Sequence, residues 1–204
     1  MDPTPPDVTQ LPTTAHSSQP WRIHELVGEF RVEDVWELPC RGAERDFPRL
    51  VALLCAQDVS RSSSCAVRTL FAIRWKLGEA LGWDATATTP SLRERLPADL
   101  RDTAAPEFRS AAFTSLYLLE REFAAEVSNR TMHGVMHVGW VPTGTGDFRG
   151  QMAVLVRPNG RFGEAYMAAI RPFRHRIVYP ATLRELERAW LRRARFAPRH
   201  EVPV

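Results

Sequence analysis

DFRGQMAVLVRPNGRFGEAYMAAIRPFRHRIVYPATLRELERAWLRRAR, residues 147–195, decides the reading of the fold. Phe148, Met152, Val154 and Val156 fall on one side of an extended chain, as in a half-buried strand. Pro158-Asn159-Gly160 ends that pattern, and a helical one begins at once. Phe162, Tyr166, Ile170, Phe173 and Ile177 recur at steps of 4, 4, 3 and 4 and pass through Pro172 without losing phase. An interior proline costs about 3 kcal/mol, so an unbroken stripe across it predicts a kinked helix rather than two unrelated ones. From Phe162 to Ala194 such a helix is about 50 Å long at ~1.5 Å per residue. A ten-residue strand reaches only about 33 Å, so the helix must bend at Pro172 or Pro180, or overhang the sheet.

Upstream, Thr131–Val141 alternates as a strand, and Thr143-Gly144-Thr145-Gly146-Asp147 is a hairpin loop. Residues 119–128 fit a helix by spacing and a strand by pairing. As a strand, a two-residue turn at Asn129-Arg130 sets Val127 opposite Met132, Phe123 opposite Met136 and Leu119 opposite Trp140, giving one apolar face. Phe113–Leu118 is a further strand. In the first half, Trp21–Leu26 alternates as the first strand, and Val32–Leu38 reads as a short helix stopped by Pro39. Helices are predicted over Pro48–Gln57, Cys65–Leu81 and Leu92–Leu96, with the hydroxyls of Ser62–Ser64 available as caps. The fold class is α+β: a curved antiparallel sheet packed on a long kinked C-terminal helix, with a helical insertion after the first strand. Residues 20–197 form one domain. Residues 1–19, poor in large apolar side chains, are expected to be a mobile tail, and 198–204 a flexible C-terminus.

With 204 residues and 44% hydrophobic content the chain can bury a real core. No run of about 18 apolar residues appears, so no membrane span is expected. Nor does the N-terminus carry a basic segment followed by an apolar one, so no secretory leader is expected. Cys40, Cys55 and Cys65 lack metal spacing and read as reduced thiols, which points to the cytoplasm. Net charge is +3, and every basic residue but Lys76 is arginine. That bias fits a GC-rich coding sequence.

WRIHEL at 21–26, FAIRWKLGEALGWD at 71–84, NRTMHGVMHVGW at 129–140, GQMAVLV at 150–156 and PFRHRIVYP at 172–180 resemble an uncharacterised bacterial domain-of-unknown-function family, DUF2867. The resemblance runs from Trp21 to Trp190. More distantly the chain is similar to the START-like, or SRPBCC, helix-grip superfamily. That resemblance implies a curved sheet wrapping a C-terminal helix around a hydrophobic cavity, and it favours the strand reading of 121–128. It carries over no catalytic residue. The superfamily includes lipid carriers, hormone receptors and polyketide cyclases, so fold alone chooses no function.

His133 and His137 form HxxxH, a familiar metal pair on a helix. On a strand, four residues span about 13 Å, too far to share one ion. No metal or other cofactor is expected. The same hairpin sets Glu126 facing His133 and Glu122 facing His137, opposite the apolar face. This reads either as a solvated ladder worth ~0.2–1 kcal/mol per pair or as an acid–base pair. The solvated reading implies that alanine at both histidines leaves the fold nearly unchanged. Arg121, the exception on the apolar face, either holds a ligand anion or lies along the sheet rim. Tyr117, Tyr166 and His175 are the other polar candidates, with Tyr166, His175 and Arg121 the weak catalytic ones. Phe123, Met132, Met136, Trp140, Met152, Phe162, Tyr166, Met167 and Ile170, with Arg121, are the expected lining of an adaptable cavity. Arg184, Arg188, Arg192 and Arg195 recur on one side of the last helix, a solvated face or a weak peripheral membrane contact. No nucleic-acid motif accompanies them, and TGTGD at 143–147 lies in a hairpin that leads to no helix, a poor phosphate cradle.

Three functions remain open on these residues. One is a module that binds a hydrophobic small molecule between sheet and helix. The second is an enzyme of cyclase or dehydratase type on the same fold. The third is a cavity-free structural or interaction domain.

Overall fold

The computed structural model describes residues 9–57, 64, 69, 90–109 and 113–194. The predicted Cys65–Leu81 helix lies almost wholly outside the described residues. Six antiparallel strands form one curved sheet in the order β1-β2-β6-β5-β4-β3. They are β1 (Gln10–Leu11), β2 (Arg31–Gly42), β3 (Thr114–Leu118), β4 (Glu122–Ser128), β5 (Met132–Pro142) and β6 (Phe148–Pro158). Among the described residues the helices with given bounds are α1 (Thr14–Ser17), α2 (Phe47–Ala56), α3 (Ala98–Arg101), α4 (Gly160–Phe173) and α5 (Tyr179–Ala194). The α+β class, the long C-terminal helix against the sheet and a helix after the first strands are all present.

β5 and β6 pair from Met132↔Pro158 to Pro142↔Phe148 across the predicted hairpin loop, where Gly144 and Gly146 take φ of 82° and 88°. The 119–128 ambiguity resolves as strand β4. Its register against β5 is two residues off the expected one: Phe123 faces Val138 and Ala125 faces Met136. Asn129 is the cause. Its Oδ1 accepts from Thr131 N, Thr131 Oγ1 and Met132 N, stabilising a longer loop than a two-residue turn. Because the shift is even, every side chain keeps its face.

Two expectations in the first half are corrected. Trp21–Leu26 is no strand; Arg22–Glu25 form a 3-10 turn. Val32–Leu38 is no helix but part of β2, where Asp34, Trp36, Leu38 and Cys40 alternate to one face and are buried. Pro39 is tolerated there because β2 pairs irregularly with β6 between Glu37 and Arg41, and β1 covers only Val35 and Trp36 on its other side.

A third correction concerns the N-terminus. Residues 9–19, read as mobile, carry β1 and α1, and His16 is fully buried. Composition tallies apolar side chains, whereas this segment is held by polar and backbone contacts.

Both sheet faces are covered. On one, α2 and α5 bury Phe47, Leu50, Leu54, Tyr179, Leu183, Leu186 and Trp190 against Trp36, Phe123, Val138, Trp140 and Met152. Each such side chain contributes about 1.5–3 kcal/mol on burial. On the other, Ile23, Leu26, Val27, Leu92, Leu96 and Leu100 cover Val35, Ala124, Val135, Ala153 and Leu155.

The C-terminal helix passes Pro172 as predicted, and continues through a π turn over Arg174–Val178 into α5. A π turn absorbs the extra residue that a proline-disturbed helix needs. The side of α4 that meets the sheet is not the aromatic stripe. Gly163 and Met167 are buried, whereas Phe162 and Phe173 are 56% and 50% exposed. Gly163 explains the rotation, since a Cβ there would sit 2.2 Å from the Thr131 carbonyl oxygen. The helix start rests directly on backbone.

Gly163→Ala is therefore expected to lower unfolding free energy by about 2 kcal/mol or more. Gly28→Ala, where an added Cβ meets nothing within 4 Å, should stay within about 0.5 kcal/mol of wild type. Urea denaturation of both variants checks the contrast.

Candidate functional site

Two polar clusters are buried in this fold, one on each face of the sheet. On the face opposite α5, β4 and β5 place Glu122, Glu126, His133 and His137 inward, and all four are nearly inaccessible. His133 Nε2 lies 2.8 Å from Glu126 Oε2, and His137 Nε2 lies 3.1 Å from Glu122 Oε1. The second contact is an ion-pair distance without hydrogen-bond alignment. The expected pairs thus exist, but the solvated ladder does not. The two covering segments that hide them were not legible as covers.

Each carboxylate also fastens one of those covers. Glu122 accepts from Arg22 N at 2.8 Å, Ile23 N at 2.8 Å and Tyr117 Oη at 2.6 Å. Glu126 accepts from Leu92 N at 3.0 Å and from the Ser91 hydroxyl. Both therefore satisfy open N–H groups of 3-10 turns, at Arg22–Glu25 and Leu92–Arg95. Burial opposes the ionisation of each. The close approach of His137, with hydrogen bonds from Tyr117 and Arg22 N, outweighs it for Glu122 and holds its carboxyl below the usual range. His133, Ser91 and Leu92 N do the same for Glu126. Tyr117, desolvated and beside Glu122, is pushed far above the usual phenol range. Every acceptor here is engaged, so this cluster is a fastening.

The second cluster sits between β2 and the π turn. Asp34 is fully buried and accepts from Arg174 Nη2 at 2.8 Å, His175 Nε2 at 2.6 Å and Tyr179 Oη at 3.2 Å. Arg174 also approaches Glu33 at 3.5 Å. Burial, despite the nearby Arg174, pushes the Tyr179 phenol up from its ordinary value. The Trp36 ring lies 5.4 Å from that of His175 and 5.0 Å from that of Tyr179. Open donors occur here too, as they do at His137 Nε2 and Trp21 Nε1 on the opposite face. Trp36 Nε1 and Arg174 Nε are buried with no partner among the described residues. His175 was named from sequence. Asp34, Trp36, Arg174 and Tyr179 were not, and the available signal was an acid inside the apolar alternation of 32–38.

The register orders the apolar residues beside this cluster into rows across the sheet. One row runs Trp36–Met152–Val138–Phe123 and is closed, at 4%, 7%, 0% and 0% exposure. The next runs Asp34–Val154–Met136–Ala125, and its two middle members, on the central strands, are only half-buried. Of the expected lining, Met132, Met136, Tyr166 and Ile170 are half-buried, and Phe162 is exposed. Phe123, Trp140, Met152 and Met167 are closed into packed structure. Arg121 lies at the exposed rim, its Nε donating to Glu44 at 2.6 Å, with its guanidinium 4.9 Å from the Phe148 ring centre. Two surface depressions, about 360 Å³ between α2 and α5 and about 750 Å³ beside Pro48, are lined by other residues. Among the described residues no helix is long and apolar enough to cross a membrane.

Sheet, helix and clusters together define an α+β domain whose two faces are fastened differently, one by carboxylates that hold two 3-10 turns and one by a buried acid that holds the π turn. A sequence profile for the family described as protein of unknown function (DUF2867) matches residues 26–181, and the chain belongs to that family. No curated protein and no solved structure matches the chain. The match takes in both carboxylate clusters but leaves His16, Trp21 and His24 outside it.

Because His133 and His137 are buried partners of buried carboxylates, the His133→Ala/His137→Ala pair should cost about 3 kcal/mol or more at pH 7. Chemical denaturation reads it directly. The lowered carboxyls of Glu122 and Glu126 also fix an acid limb. Their contribution is complete above the ordinary value of 4.5 and is lost as pH falls below it. Glu126→Gln should flatten stability against pH below 4.5 relative to wild type.

Proposed function

We propose that this protein binds a hydrophobic small molecule between the sheet and the C-terminal helix, in the manner of START-like (SRPBCC) helix-grip proteins. The observation that supports it is the half-buried state of Met136 and Val154 at the middle of central strands, in the row that begins at buried Asp34. Central positions on a sheet's inner face are ordinarily its most enclosed, so an opening there suits a guest. Met132, Tyr166 and Ile170 are half-buried as well. The apolar side of α4 that carries Phe162 and Phe173 is unusually exposed for side chains of that size.

The polar end of the site is the Asp34 cluster. A ligand acceptor reaching Trp36 Nε1 or Arg174 Nε would satisfy a donor that the free protein leaves unpaired. Orientation would come from that end and affinity from the methionines and aromatics.

The His175–Asp34 contact favours a second reading, an enzyme of cyclase or dehydratase type. Asp34 accepts the Nε2 proton of His175, which leaves Nδ1 as the basic nitrogen of a fixed tautomer. In that reading His175 moves a proton of the bound ligand while Arg174 and Tyr179 stay on Asp34. Loss of a mass change in the ligand on His175→Gln, with capture retained, would mark turnover.

Met136→Trp fills the proposed opening and tests binding. With 1-anilinonaphthalene-8-sulfonate as the probe, wild type should bind with saturable fluorescence gain, and the variant at least ten-fold more weakly, about 1.4 kcal/mol. Unchanged circular dichroism confirms that the variant folds. Equal affinity in both, or no saturable binding to wild type, overturns the reading.

A further inference from the structure

The face opposite the proposed ligand site carries a line of three histidines. His24 Nε2 lies 3.4 Å from His16 Nδ1, and His16 Nε2 lies 3.1 Å from His137 Nδ1. His137 Nε2 in turn meets Glu122 at 3.1 Å. His24 is half-buried at one end, and His16 and His137 are buried at 0% and 1%. The line runs from the surface to the carboxylate that holds Arg22 N and Ile23 N.

We propose that residues 9–25 form an acid-released strap over the sheet, with His16 and His137 as the sensors that open it. The hydrogen-bond pattern supplies the first argument. With all three imidazoles neutral and protonated at Nε2, each donates to the next and the last faces Glu122. One added proton would have to reverse the line and leave a buried charge on His137, which burial disfavours although Glu122 lies beside it. A second added proton has no acceptor in the line and sets two cations side by side without solvent.

The surroundings offer little compensation. From the strap itself, Trp21, Arg22, His24 and Glu25 lie near. Arg22 is already paired with Glu25 at 2.9 Å and with Asp99 of α3 at 2.8 Å. From the sheet come Glu122 on β4, Tyr117 on β3, and Gln151 on β6, whose amide donates to Ala15 O at 3.2 Å. Among the described residues Glu122 is the carboxylate in contact with the line, and its oxygens already accept from Tyr117, Arg22 N and Ile23 N. Burial first, then the neighbouring His137 and His24, bring His16 down to about 3. Burial lowers His137 against the pull of Glu122.

The seat of the strap is specific. A Cβ on Gly139 would lie 2.5 Å from the Trp21 ring, so the indole rests on β5 backbone. The strap also lies outside the family match, which begins at residue 26, whereas Glu122, His137 and Gly139 lie inside it. It joins the sheet edge through β1 and from Thr14 onward covers the strands that lie within 26–181, and acid is what lifts it. Released, it bares Glu122, Tyr117 and His137.

The sign follows from the depressed values. A histidine held neutral in the closed form and free to take its proton at 6.5 when open contributes stability above 6.5 that is lost as pH falls toward 3. Two such groups raise the open population about a hundred-fold between pH 7.5 and 5.5, and one about ten-fold.

Hydrogen exchange followed by mass spectrometry, corrected for intrinsic rates, tests this on the full chain. Protection of peptides within 9–25 should fall about a hundred-fold between pH 7.5 and 5.5 while that of 132–142 holds. In His16→Gln the selective loss should shrink to about ten-fold. Equal loss in strap and β5, no loss in the strap, or an unchanged loss in His16→Gln each overturns the proposal. If that variant does not fold, the imidazole proton resonances of wild type decide. His16 titrating near 3 and His137 below the ordinary 6.5 supports the strap, and a midpoint at or above 6.5 for either overturns it.

Discussion

A buried carboxylate has to be surrounded by donors, and in this fold three of them dictate where the covering segments lie. Glu122 takes the 22–25 turn, Glu126 the 91–95 turn, and Asp34 the π turn of the C-terminal helix. An unpaired carboxylate in the interior costs several kcal/mol, whereas apolar contact is nearly indifferent to a shift of one residue. Leu26, Leu92 and Leu186 supply cohesion, and the carboxylates supply position. Two of the three acids share β4, four residues apart, so one strand places both covers of its face.

The two faces differ in how completely they are enclosed, while each keeps idle buried donors. Under the strap and the 91–100 segment, both glutamates have all the donors they can use, which suits a closed, structural face. Around Asp34 the acid is satisfied but Trp36 and Arg174 each keep an idle N–H. The same side has half-buried apolar residues on central strands and a π turn in its main helix. Incomplete enclosure and a helix irregularity coincide on one face, beside a buried acid, and that coincidence favours it as the place of function.

Much of the β5–β6 hairpin was legible because its period-two pattern and Gly-rich loop agree. β4 was legible through pairing, although Asn129 moved the register by two. β2 was misread because both of its sides are buried: Val35 enters one core and Trp36 the other, so the alternation that marks a half-buried strand is blurred. The aromatic stripe of α4 pointed to the wrong side for a steric reason. Gly163, silent in any hydrophobic pattern, is the residue that touches the sheet. His16 was hidden by its surroundings of proline, threonine and serine, since the partner that buries it, His137, lies far along the chain. Sequence spacing brought Glu122 to His137, which meet diagonally in the shifted register, but nothing local reveals that the pair is roofed over.

The central claim is that each carboxylate positions its own cover. Hydrogen exchange of Glu122→Gln, Glu126→Gln and Asp34→Asn at pH 7.5 measures it most directly. The account predicts a diagonal pattern: loss of protection of at least ten-fold in 22–25 for the first, in 91–95 for the second and in 174–179 for the third, with the other two segments little changed. The same exchange pattern in all three variants, or none above wild type, would contradict it.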